Sequence, residues 1–153
     1  MTEAEEQVQR RRVVDVALSW ERTPYVHEAR IKGVGCDCTF IAEVYEEAGL
    51  IPHIDIARYS PQWHLHQREE RYLGYVLRYA REIPFPPQPG DVVLYRFGRV
   101  LSHSAIVIFP GWPHIVHSGS KERMVSRSYG DKGQMALPQV IRRYFSMFGR
   151  ADQ

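Results

Sequence analysis

The segment Gly33-Val34-Gly35-Cys36-Asp37-Cys38-Thr39-Phe40-Ile41 carries the residues best suited to chemistry in this chain. Asp37 is a good N-cap, so Cys38 is expected in the first turn of a helix. A thiol is a nucleophile only as thiolate, and a helix N-terminus or a neighbouring imidazolium favours that form. The glycines just upstream permit close approach of another backbone or a substrate. Cys36 is expected outside the helix, packed as a small hydrophobe. A disulfide between residues i and i+2 would be strained, so both thiols are expected to be free, as in a reducing compartment.

Two later segments offer a base. His103 lies at the start of the predicted strand in Leu101-Ser102-His103-Ser104-Ala105-Ile106-Val107-Ile108, where the small Ser104 and Ala105 allow another element to pack closely. His117 lies on the next predicted strand, Ile115-Val116-His117-Ser118. If these strands are neighbours, His117 reaches the ring of His103 and fixes its tautomer, completing a nucleophile, base and orienter. His114 competes for the third place, but three residues apart in a strand means opposite faces, so only one can serve. The alternative chemistry is a metal site built from Cys36, Cys38 and two of the seven histidines. That set lacks the paired ligand spacing of zinc modules, so no metal is expected. His64 and His66 read as a polar surface pair. No phosphate-binding loop or dinucleotide fingerprint is present, and no cofactor is expected.

The elements that must position these groups follow from periodicity. Val13, Val14, Ala17 and Leu18 recur at helical spacing, predicting a helix over about residues 3–19. The run Arg10-Arg11-Arg12 after Glu3 to Glu6 reads as a solvated face with i,i+4 pairs. Thr23-Pro24-Tyr25 breaks the helix, and residues 21–36 read as a loop. The second helix buries Phe40, Ile41, Val44 and Tyr45 and stops at Gly49. Ser60-Pro61 is a possible start for a third, whose stripe is Tyr72, Leu73, Val76, Leu77 and Ala80. Pro84 to Gly90 is a connection. Beyond it, strands are expected at 91–97, 105–109, 115–118, 124–126 and 140–148, with turns at Gly98-Arg99 and 110–113. Helices first and strands second predict an α+β fold with an antiparallel sheet.

The chain has 153 residues, 44% hydrophobic and 25% charged, and is expected to form a single domain over 1–153 with a real core. Twenty basic and 18 acidic residues, net charge +2, argue against nucleic acid as a partner. No apolar run approaches the ~20 residues needed to span a bilayer, so no membrane insertion is expected. Met-Thr-Glu-Ala-Glu-Glu at the start lacks the features of a secretion signal, so synthesis in the cytoplasm is expected.

Five blocks, in order, resemble the NlpC/P60 family of papain-like cysteine peptidases, in the form found in phage and prophage tails. Gly35-Cys36-Asp37-Cys38 resembles the Gly-x-Asp-Cys that opens that family's catalytic helix. Thr23-Pro24-Tyr25 resembles its upstream Thr-Pro-Tyr, and Pro89-Gly90-Asp91 the Pro-Gly-Asp leading into the first core strand. Ser102-His103-Ser104-Ala105-Ile106 resembles the catalytic histidine block, and Ile115-Val116-His117-Ser118 the third polar block. The resemblance implies Cys38 as nucleophile, His103 as base, His117 as orienter, and Tyr25 in positioning or oxyanion support. It implies hydrolysis of peptidoglycan stem peptides, often at a D-γ-glutamyl–diamino acid bond, without a cofactor. It also implies phage tail proteins as partners and action at the cell wall. Phe40 stands where the family often has glycine and is expected to narrow the groove beside the thiol. Two rivals remain: a non-catalytic tail-assembly or wall-binding protein, and an amidase or acyltransferase using the same acyl-enzyme.

Overall fold

The computed structural model describes residues 1–54, 74, 76–97 and 100–149. The first helix, α1, spans Glu3–Leu18. Thr2 and Glu5 close a reciprocal capping box, satisfying two backbone donors that a helix start leaves open. Its buried stripe is Arg10, Val13, Val14 and Ala17, with Val16 beside it. Arg10 is therefore not on the solvated face. Its spacing from Val13, Val14 and Ala17 puts it on the inward stripe, although Glu6 does pair with it at i,i+4.

Two short strands, β1 (Arg30–Ile31) and β2 (Gly35–Cys36), form a small hairpin before the second helix. At Gly35 a side chain would meet the Val26 side chain at 2.6 Å, so glycine is what lets the two segments lie together. Helix α2 spans Phe40–Glu47 and ends where Gly49 takes φ +83°. Phe40, Ile41, Val44 and Tyr45 are buried as the periodicity requires. Phe40 is fully buried and its ring lies 5.8 Å from that of Trp20, so it packs in the core.

The remaining strands are β3 (Arg81–Ile83), β4 (Val92–Phe97), β5 (Val100–Val107), β6 (His114–Gly119), β7 (Met124–Tyr129) and β8 (Ile141–Ser146). They form one antiparallel sheet in the order β3-β8-β4-β5-β6-β7. The fold is α+β, as the order of patterns predicts. The fifth strand begins earlier than its apolar run, and β3 was not legible, because its three residues, Arg-Glu-Ile, are short and largely exposed. Ser60, Pro61, Tyr72, Leu73, His64, His66, Gly98 and Arg99 lie outside the described residues.

Alternation along the strands gives the sheet two apolar faces. Val92, Leu94, Ile106, Val116 and Phe145 join α1 and α2 in the main core. Val93, Tyr95, Ala105, Val107 and Ile115 face the other way, against Trp112, Met135, Val140 and Tyr144. A single 3-10 turn, Gly133–Ala136, lies in the segment covering that second face. Among the described residues no helix is long and apolar enough to cross a membrane.

Candidate active site

β5 pairs with β6 at Ile106–Val116 and Val107–Ile115, and the Ile108 N–H continues the contact to the His114 carbonyl. In the other direction the strands part, and the segment that carries both cysteines is docked there by two serines. Ser104 Oγ donates to the Cys38 carbonyl at 2.7 Å, and Ser118 Oγ donates to the Cys36 carbonyl at 3.2 Å. Both serines are buried. Sequence reasoning valued Ser104 for being small. Its hydroxyl is as important, since it fixes the backbone of the candidate nucleophile.

Asp37 fixes the other side. One carboxylate oxygen accepts the Glu28 N–H at 2.8 Å; the other accepts the Thr39 N–H at 3.0 Å and the Thr39 hydroxyl at 2.5 Å. The Phe40 N–H bonds the Asp37 carbonyl, so the turn containing Cys38 leads directly into α2. The regular helix starts at Phe40, two residues later than a helix with Cys38 at its first position. Asp37 therefore caps the turn that holds Cys38 and not α2 itself, whose N-cap is Thr39. Cys38 is 4% exposed and Cys36 is fully buried.

Tyr25, Cys38, His103 and His117 line one cleft of about 380 Å³. The same four residues were singled out in the sequence. Tyr25 is held by its N–H on the Arg123 carbonyl and by pairing with Cys36. His103 Nε2 and His117 Nδ1 are 2.8 Å apart, with the rings edge to face. His103 lies on the second face of the sheet with Ala105 and Val107, and His117 lies there with Ile115. His114 projects from the opposite side of β6 and its ring packs against Tyr129 at 5.3 Å. The geometry thus brings His117, not His114, to His103. His103 sits inside β5, flanked by the rings of Tyr95 and Phe97.

Burial, together with the adjacent His117, pushes His103 down to about 3. Burial also lowers His117, against an opposing pull from the Glu122 carboxylate. Burial thus favours the neutral form of both rings. A neutral imidazole next to a thiol is a base that can accept its proton. The Cys36 thiol is pushed up to about 11, chiefly by burial, with a weaker opposing contact to Ser118. Its Sγ lies 3.7 Å from Ser118 Oγ. Cys36 does not line the cleft, and it is held protonated at any physiological pH.

Phe40 does not reach the cleft, so it does not narrow the groove beside Cys38. The groove is lined instead by the apolar Phe97 and Met135 and by the polar Ser120, Lys121, Lys132 and Gln134. Nothing in local sequence marked these residues, because they converge from the end of β4, the β6–β7 turn and the β7–β8 connection. Among the described residues no three His, Cys, Asp or Glu side chains converge as a metal site.

The fold is that of the NlpC/P60 proteins. RipB, a peptidoglycan hydrolase of Mycobacterium tuberculosis, superimposes with TM-score 0.64 at 16% identity, over 97% of this chain and 69% of that one. An N-acetylmuramoyl-L-alanine amidase from Bacteroides uniformis gives 0.62 at 12% identity, over 90% of this chain and 98% of that one. An NlpC/P60 family protein from Bacillus cereus gives 0.58 at 18% identity, over 82% of this chain. The chain spans 36% of that Bacillus protein's length, and less than half of two NlpC proteins from Trichomonas vaginalis that it also resembles. No family model and no curated protein sequence matches.

Proposed function

We propose that this protein is a cysteine peptidase that hydrolyses peptidoglycan stem peptides. The observation that carries the reading is the meeting of Cys38, His103 and His117 in one cleft, with His103 Nε2 2.8 Å from His117 Nδ1. That contact uses one nitrogen of His103 for orientation and leaves the ring's Nδ1 as the atom for the thiol proton. His103 takes the proton of Cys38 as the sulfur attacks the peptide carbonyl carbon. The tetrahedral oxyanion is met by the Cys38 N–H and Tyr25. The C–N bond then breaks, the proton on His103 passes to the leaving amine, and a thioester remains. Water attacks the thioester with His103 as base, releasing a carboxylate and restoring the thiol.

The substrate class rests on the likeness to proteins described as peptidoglycan hydrolases and on the five sequence blocks. The D-γ-glutamyl–diamino acid bond, the cell wall as place of action and a tail-associated setting are parts of the proposal that rest on the sequence resemblance alone. One further reading is favoured by a specific observation. The Bacteroides protein, almost all of whose length this fold covers, is described as an N-acetylmuramoyl-L-alanine amidase. The same acyl-enzyme cleaves that amide. Phe40, expected to crowd the groove beside the thiol, lies in the core instead and so lends the non-catalytic rival no support.

Mass spectrometry of purified peptidoglycan after incubation with wild type and with Cys38→Ser tests the reading. A fragment released by wild type alone is expected, and the new terminus names the bond: glutamyl for the peptidase, muramoyl for the amidase. Release by neither protein, on several wall types under reducing conditions, would sink the proposal.

Thiol labelling tests the assignment of the nucleophile without a substrate. Iodoacetamide is expected to modify Cys38, which lines the cleft, ahead of Cys36. Cys36 should stay unmodified in the folded protein even at pH 10, since it is buried and shifted to about 11. Peptide mapping that found Cys36 modified first would reverse the assignment.

A further inference from the structure

The candidate base can be oriented by His117 only if His117 itself is in one tautomer. For His103 Nε2–H to donate, His117 Nδ1 must be bare and the His117 proton must sit on Nε2. That Nε2 is buried and has no hydrogen-bond partner among the described residues. A buried donor without an acceptor is costly, so the neutral ring alone gives no reason to prefer this tautomer. Among the described residues lining the cleft there is one carboxylate, Glu122.

Glu122 sits in the turn between β6 and β7, and Gly119 is what lets it approach. A Cβ at Gly119 would fall 1.7 Å from Glu122 Oε2 and 3.2 Å from His117 Cε1. The carboxylate and the His117 ring thus flank the same empty point; Cε1 lies between the two ring nitrogens, of which Nδ1 is taken by His103 and Nε2 is open. The glycine has ordinary backbone geometry, so its value there lies in space rather than in φ. The negative charge of Glu122 also favours a proton on His117.

We propose that Glu122 is a positioning residue of this site, accepting the Nε2 proton of His117 and so holding His117 in the tautomer that orients His103. The inference rests on the cysteine-peptidase reading for its purpose but not for its test. The chain of groups is then Cys38, His103, His117 and Glu122, drawn from the α2 approach, β5, β6 and the β6–β7 turn. Glu122 is exposed, so its side chain can turn towards the ring at little cost.

Nitrogen-15 NMR of the histidine rings at pH 7 reads the tautomer directly. Wild type is expected to show His117 almost wholly Nε2-protonated. Glu122→Ala should give a mixture, Glu122→Gln should restore most of the single tautomer through its amide oxygen, and Gly119→Ala should imitate the loss by displacing Glu122. In stem-peptide assays Glu122→Ala should lower kcat roughly ten- to a hundredfold with KM within about twofold. A single unchanged tautomer in Glu122→Ala, or a change confined to KM, overturns the proposal. If wild type releases no wall fragment while the tautomer responds as described, the positioning role stands and the peptidase reading falls.

Discussion

His103→Ala is expected to lower kcat/KM on stem peptides by about 10³-fold or more, close to the loss from Cys38→Ser, while His117→Ala costs roughly ten- to a hundredfold. A thousandfold corresponds to about 4 kcal/mol of transition-state stabilisation. The ranking follows from what each side chain does. Cys38 forms the bond to the acyl group. His103 both removes the thiol proton and returns a proton to the leaving amine, so its loss damages two steps. His117 touches only the far nitrogen of His103, at 2.8 Å, and acts by orientation. The sheet around His103 is independent of the ring's chemistry: β4 and β5 pair on both sides of the Tyr95–His103 position. The variant should therefore keep its fold, and continued protection of Cys36 from iodoacetamide is the check. Steady-state kinetics of the three variants on one stem peptide decides the matter. Equal, small losses from all three would mean that the cleft binds peptide but that Cys38 and His103 do not act together.

The site was legible because its chemistry sits in local motifs. Asp37 before Cys38, the small residues after His103, and the opposite faces of His114 and His117 can all be read from residue type and period. The adjacency of β5 and β6 had to be assumed, and the sheet order supplies it. What local sequence does not carry is the means of docking. Ser104 and Ser118 fall on different strands, and only when β5 and β6 part do they turn to the carbonyls of Cys38 and Cys36. Glu122 and the lysines of the rim are likewise ordinary surface residues until the loops converge. Phe40 was misplaced for a related reason. Its position beside the cysteine suggests the groove, but the helical stripe of α2 commits it to the core against Trp20.

Asp91→Ala is expected to destabilise the protein by about 3–5 kcal/mol, because it takes from the buried Arg10 the carboxylate on its Nη1 and leaves it only Glu6 and the Pro89 carbonyl. The basic run in α1 looked like a water-facing pattern, yet Arg10 is 4% exposed and Asp91 only 1%. Arg10 Nη1 donates to Asp91 at 2.9 Å and to the Pro89 carbonyl at 3.0 Å, its Nε donates to Glu6, and the guanidinium lies over the Phe148 ring. Asp91 in turn accepts the Gln88 N–H at 2.8 Å. This is the joint between α1, the turn at Pro89-Gly90 and the start of β4, which runs on to the strand pair that carries His103. Burial nevertheless raises the Asp91 carboxyl despite the neighbouring guanidinium. Desolvation thus exceeds the attraction for the carboxylate, so the cost expected of Asp91→Ala lies in what it leaves buried on Arg10. Two results follow. The single variant should lose about 6–20 °C in Tm, at roughly 2–4 °C per kcal/mol for a chain of this size. The double variant Arg10→Met/Asp91→Asn, which removes both buried charges and leaves only the partly exposed Glu6, should recover most of that loss. Thermal unfolding followed by circular dichroism separates the cases, and a double variant as unstable as Asp91→Ala would mean that the ion pair itself, rather than the avoidance of an orphaned charge, holds α1 to the sheet.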